Sequence, residues 1–258
     1  MNLWEKGIFF LTIGLTAAVL LRLWAGELIR VYRLFFFYLT ADFLLSLIGL
    51  RIPYNTDLYG QFYFTAQTVK ILIASFLVRE IYSLALENTP ALARYGRNAV
   101  GYILGAAAAI PCIVVLVDSS GPGKTYNFRR LYFMFEQTMD GTIAIFLIII
   151  SVFMARFPVR LRRNVVVYIS GFIVWSMTRS VAMFAANRFP GDRTAVAAIS
   201  AVQMCAAVGC LLFWLIGLRR EGESRTAVVG HLWNRAEAER LTDQLDAINR
   251  SLERLRRK

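Results

Sequence analysis

Seven long apolar runs dominate this chain, at residues 7–23, 34–50, 62–78, 99–117, 131–155, 165–186 and 195–218. Most are near the ~20 residues that cross ~30 Å of hydrocarbon at ~1.5 Å of helix rise per residue. The shortest reach that span once their flanking aromatic and arginine residues are counted. Lipid offers no water to backbone N–H and C=O groups, so only α-helices and closed β-barrels cross it. The runs lack the in-and-out alternation of barrel strands, which leaves helices. Turn-forming residues separate them, at Pro53-Tyr54-Asn55, Asn88-Thr89-Pro90, Ser119-Ser120-Gly121-Pro122-Gly123, Phe157-Pro158 and Phe189-Pro190-Gly191. The expected fold is an all-α membrane protein, a bundle of about seven transmembrane helices occupying residues 1–220.

Composition agrees. Hydrophobic residues make up 57% of the chain, above the ~45–50% usual in soluble domains. The net charge of +12 invites a nucleic-acid reading, but the arginines lie between the apolar runs and not along one polar face. No nucleic-acid partner is expected. Arginine at helix ends instead sets topology. One side of the bundle collects Arg22, Arg30, Arg33, Arg79, Arg94, Arg97, Arg156, Arg160, Arg162, Arg163, Arg219 and Arg220. The other collects Lys6, Arg51, Lys124, Arg129, Arg130, Arg188 and Arg193. The richer side is expected in the cytoplasm, with the N-terminus outside and the C-terminus inside a plasma (inner) membrane. The first run reads as an uncleaved span, because Glu5 offsets Lys6 and bulky Trp24 sits where cleavage needs a small residue.

Charged groups inside hydrocarbon cost several kcal/mol unless paired or hydrated. The candidates are Asp42, Lys70, Glu136, Asp140 and Arg179, with the uncharged Gln203. Asp42 is nine residues from Arg33 and Lys70 nine from Arg79, which puts both ~14 Å above the inner boundary. They lie on consecutive antiparallel helices, so an intramembrane ion pair is expected. Asp140, Arg179 and Gln203 are each sixteen residues from Arg156, Arg163 and Arg219, or ~24 Å up. Glu136 lies one turn further out on the face of Asp140. These four form a candidate ligand site in the outer half of the bundle. Arg179 would anchor a carboxylate or phosphate, since its planar fork suits both. The bland alternative is a set of ion pairs that fix helix register.

Small residues recur at four-residue spacing as Gly101, Gly105 and Ala109, and again as Ala201, Cys205 and Gly209. Such stripes let helix backbones approach closely. Cys112, Cys205 and Cys210 all fall in apolar runs without a CxxC, and His231 is the one histidine, so no metal site is expected. The chain also lacks GxGxxG, GxxxxGK[ST], HExxH and GxSxG, so neither a cofactor nor an enzymatic function is expected. The seventh run has no lysine, which excludes a retinal Schiff base in the usual seven-helix position.

After Arg220 the composition changes. Residues 221–230 read as a polar cytoplasmic linker. Ala238, Leu241, Leu245, Ile248, Leu252 and Leu255 then recur at alternating three- and four-residue spacing, a heptad seam. Residues 221–258 are thus expected to form a linker and an amphipathic or coiled-coil helix. That helix would serve homo-oligomerisation, bind a cytoplasmic protein, or lie on the inner leaflet beside anionic lipid. The layout is similar to the seven-helix sensing portions of some bacterial signalling proteins. It implies a sensor or scaffold. The alternative is a transporter or channel for a small solute, ion or proton.

Overall fold

The structure, a computed structural model, describes residues 3–53, 56–86, 90–119, 128–156, 159–188, 193–224 and 226–229, with 240, 243–244, 247 and 250–251 of the tail. Each apolar run coincides with one of seven helices, two of the runs extending one residue beyond the helix end: α1 (Leu3–Ala25), α2 (Arg33–Gly49), α3 (Asp57–Ala85), α4 (Pro90–Ser119), α5 (Phe128–Arg156), α6 (Arg163–Arg188) and α7 (Arg193–Gly217). Among the described residues four stretches are long and apolar enough to cross a membrane, namely Lys6–Ala25, Phe135–Met154, Arg163–Ala185 and Thr194–Gly217. α2 is shorter, at 17 residues.

Local chemistry sets several boundaries. Thr56 caps α3, its hydroxyl accepting from the amide of Tyr59 at 3.3 Å. The chain leaves α1 through Gly26 and Glu27. Glu27 adopts the left-handed conformation at φ 58°, which reverses direction before a single 3-10 turn, Leu28–Arg30. Hydroxyls within the helices bond backward to carbonyls four residues earlier. Thr12, Thr16, Thr40, Thr68, Ser75 and Thr142 all do so, at 2.7–2.9 Å. A hydroxyl that satisfies itself this way needs no water, which suits a helix in hydrocarbon.

The packing makes a ring. α1 contacts α2 and α7, α2 contacts α3, α3 contacts α5, α5 contacts α6, and α6 contacts α7. α4 packs on α3 and α5 from outside that ring. The innermost side chains are aromatic and aliphatic: Tyr32, Phe35, Tyr168, Phe172, Leu77 and Leu147 are all but fully buried. Every helix also turns large apolar side chains outward, among them Trp24, Phe37, Phe76, Tyr102, Val152, Phe184 and Ile216. A water-soluble monomer rarely exposes contiguous apolar patches beyond a few hundred Å². Apolar exposure on all seven helices is what a lipid-facing surface requires.

Two sequence expectations change here. First, the small-residue stripes do not pack helices of this chain together. Gly105, Ala109, Cys205 and Gly209 are exposed, and a side chain added at Gly101, Gly105 or Gly209 would meet nothing within 4 Å. The close approaches occur elsewhere, where Gly171 of α6 lies under Trp214 and Gly217 lies against Val167. Spacing marks a smooth stripe but not the direction it faces. Second, the stretch read as a linker is structured. Residues Arg220–Gly222 form a 3-10 turn and β2 (Thr226–Val229) pairs antiparallel with β1 (Val159–Arg162), in register Val159↔Val229 to Arg162↔Thr226. The segment entering the tail is therefore hydrogen-bonded to the α5–α6 connection. The heptad residues Leu241, Leu245, Ile248, Leu252 and Leu255 lie outside the described residues.

The glycine geometry separates two substitutions. Gly171→Val should overpack against Trp214 and cost about 1–3 kcal/mol in unfolding of the lipid-embedded protein. Gly105→Val should stay within about 0.5 kcal/mol of the parent. Equal damage from both would place α4 in a different packing.

Candidate functional site

The ring of helices surrounds a cavity of about 260 Å³. Asp42 and Lys70 line it from α2 and α3, Glu136 from α5, Arg179 from α6 and Gln203 from α7. Every one of these came from the two depth groups of the sequence. Counting along the helices placed them in layers ~10 Å apart. The structure brings both layers into one site. Long side chains explain the difference, since lysine and arginine carry their charge far from their own Cα.

Two ion-pair systems organise the walls. Lys70 Nζ donates to Asp42 Oδ1 at 3.1 Å, with both side chains mostly buried. Arg179 Nη2 donates to Glu136 Oε1 at 2.8 Å. Its Nε also lies 2.7 Å from Asp140 Oδ2. At that distance the two groups form a charge-assisted contact. Asp140 sits behind Arg179, and its carbonyl accepts from Ser180 Oγ at 3.1 Å. Arg179 thus already serves two carboxylates, both buried. Of the two sequence readings, these contacts match ion pairs that fix helix register.

Residues that sequence reasoning passed over complete the cavity. Tyr38 and Trp175 stand between the two ion-pair systems, with Trp175 Nε1 donating to Tyr38 Oη at 3.2 Å. Tyr63 accepts from Gln67 Nε2 at 3.3 Å, and the Oε1 of the same Gln67 is buried without a donor. Aromatic residues in an apolar run carry no signal that separates a cavity wall from a lipid anchor. Gln67 was visible in principle, as an amide three residues from Lys70.

A second polar cluster lies at the arginine-rich end. Glu223 accepts from Tyr32 Oη at 2.7 Å, from Asn164 Nδ2 at 2.8 Å and from Arg162 Nη1 at 3.2 Å. Asn164, fully buried at the start of α6, also donates to the Arg219 carbonyl at 2.7 Å and accepts from its amide at 3.1 Å. Gly222 packs so closely on Asn164 that no side chain fits there. Burial pushes the Tyr32 hydroxyl well above its ordinary range, and its bond to Glu223 adds to this. Nearby, Glu80 accepts from the Leu34 amide at 3.2 Å and from Tyr168 Oη at 3.4 Å. It supplies from α3 the cap that the first turn of α2 lacks. Burial pushes its carboxyl up, and these hydrogen bonds pull it part of the way back.

Aromatic rings connect the two regions. Trp214 lines the cavity and stacks edge-on to Phe35 at 4.8 Å. Phe35 meets Tyr168 at 4.7 Å, and Tyr168 meets Tyr32 at 5.4 Å. Tyr32 then holds Glu223. Among the described residues no group of three His, Cys, Asp or Glu side chains converges as a metal site.

In comparisons with known proteins, no family model matches this chain, and neither a curated protein nor a solved structure matches it.

The Asp42–Lys70 pair is open to a double-mutant cycle. Asp42→Asn or Lys70→Met alone should each cost about 1–3 kcal/mol, between the limits of an exposed and a fully buried pair. The double substitution should recover at least half of the summed loss. Additive losses would mean that the two side chains are not in contact.

Proposed function

We propose that this chain is a seven-span protein of the plasma (inner) membrane, of sensor or scaffold type. Its N-terminus lies outside and its C-terminus in the cytoplasm. The cavity binds a small polar molecule, and the cytoplasmic tail reports occupancy by self-association or by contact with a protein partner.

One observation carries this reading. The ring that walls the cavity also holds the first residues of the tail, through Trp214, Phe35, Tyr168, Tyr32 and Glu223. A molecule that moves Trp214 acts on packed rings that end at the tail's anchor. Packed interiors transmit such shifts because they are close to incompressible. Orientation rests on the arginines: Arg22, Arg30, Arg33, Arg162, Arg163, Arg219 and Arg220 flank the end where the tail begins.

A transporter reading draws on the merging of both charged layers into one cavity. Against it stands the aromatic layer at the tail end, where Tyr32, Phe35, Tyr168 and Phe172 are all but fully buried.

A reporter at Ser224, which is exposed beside Glu223, tests the proposal. With Cys112, Cys205 and Cys210 replaced, Ser224→Cys should resist an impermeant thiol reagent on intact cells and react once the membrane is opened. Filling the cavity with Ser46→Leu should change the reaction rate at least threefold. Tyr32→Phe should abolish that change. Labelling on intact cells would reverse the orientation, and a rate indifferent to Ser46→Leu would remove the sensor reading.

A further inference from the structure

The cavity's own chemistry narrows what it takes. Its charged lining consists of Asp42, Lys70, Glu136 and Arg179, and Asp140 lies directly behind Arg179. Three carboxylates face two cations. With all five ionised the site carries one net negative charge. In a low-dielectric surrounding such a charge is costly until a cation meets it.

A second observation points the same way without reference to charge. Gln67 Oε1 is a buried side-chain acceptor without a hydrogen-bond partner among the described residues, whereas Asp140 Oδ2 lies 2.7 Å from Arg179 Nε. What Gln67 Oε1 lacks is a donor, and a buried acceptor left unmatched costs about 1–3 kcal/mol. Gln67 lines the cavity.

The walls select among cations. Tyr38, Tyr63, Trp175 and Trp214 present aromatic surface to the cavity, and aromatic faces attract organic cations. A metal ion would need several oxygen ligands converging on a point, and the carboxylates are instead distributed over α2 and α5 and engaged with Lys70 and Arg179. The volume of about 260 Å³ is several times the ~30 Å³ share of one water, yet below the ~300–1,000 Å³ of drug-sized sites.

We infer that the cavity is a binding site for a small protonated organic amine, whose ammonium N–H donates at Glu136 and Gln67 while its apolar part lies against Trp175 and Trp214. This rests on the proposal that the cavity is a ligand pocket, and names the class of ligand. The excess carboxylate supplies the charge that matches the amine. Arg179 is then a positioning residue, holding Glu136 and Asp140 in place.

Three probes that share one ring and differ in charge test the class: benzylamine, benzyl alcohol and benzoate, with the full chain in lipid nanodiscs. Benzyl alcohol also controls for partition into the bilayer. Benzylamine should raise the unfolding temperature with a saturating dose dependence, as mass action requires. The alcohol and the acid should not. Glu136→Gln should weaken the benzylamine response at least tenfold. Gln67→Leu, which leaves every ion pair in place, should weaken it at least threefold and serves if Glu136→Gln does not fold. Saturating stabilisation by benzoate would keep the pocket and overturn the amine. So would an amine-insensitive protein whose stability rises as pH falls from 8 to 6, because a proton would then supply the charge. A response to none of the probes overturns the amine. The reporter at Ser224 decides whether the pocket falls with it: a rate changed by Ser46→Leu keeps the pocket, and an unchanged rate removes both.

Discussion

A guanidinium held between two carboxylates in the interior of a membrane bundle is the interaction on which this structure turns. Arg179 reaches Glu136 at 2.8 Å and Asp140 at 2.7 Å, and all three are buried. No one of them could stay charged in hydrocarbon alone. Together they fix the rotation of α5 against α6, because a turned helix would strand a charge in lipid. They also leave a surplus carboxylate facing a cavity. A lock that fixed register alone would be satisfied by one acid and one base. The second acid, and the nearby Asp42–Lys70 pair, give the cavity a polar wall on several of its helices.

The tail end of the bundle obeys a different constraint. There the chain leaves α7 and has to bury irregular backbone. Asn164 satisfies both the amide and the carbonyl of Arg219, and Glu223 gathers Tyr32, Arg162 and Asn164. These bonds hold residues 219–223 against α2 and α6. The tail therefore begins from a fixed point on the core, where motion of the helices would be felt. Glu80 extends the arrangement by capping α2 from α3. Polar groups at this end join helices far apart in sequence, whereas hydroxyls within the apolar stretches mostly bond to their own helix.

Much of this was legible in the sequence, and the reasons are physical. Helix positions follow from apolar runs, because burial in lipid is decided residue by residue. The partners Asp42 and Lys70 could be matched, because helix rise is constant and both were counted from flanking arginines. Three things could not be read. The merging of two charged layers depends on how far Lys70 and Arg179 extend, which depth along a helix does not record. The outward face of Gly105 and Gly209 depends on helix rotation, which spacing leaves free. The anchoring of Glu223 by Asn164 joins residues 59 apart through irregular backbone, where no periodicity exists to be seen. Arg179 was read as an anion anchor or as part of a register-fixing set of ion pairs, and its contacts with Glu136 and Asp140 are those of the second reading.

The most direct test is whether the charged residues act as one electrostatic site or as two layers. Lys70→Met removes a cation from α3 and Glu136→Gln removes an anion from the neighbouring α5. In one site the second change offsets the first, returning the net charge to that of the parent. The stability of the two single variants and the double variant in lipid nanodiscs therefore decides the matter. A single site requires that Glu136→Gln restore at least about 1 kcal/mol of what Lys70→Met loses. Losses that add to within about 0.5 kcal/mol would mean two independent layers, and the shared cavity would have no electrostatic meaning.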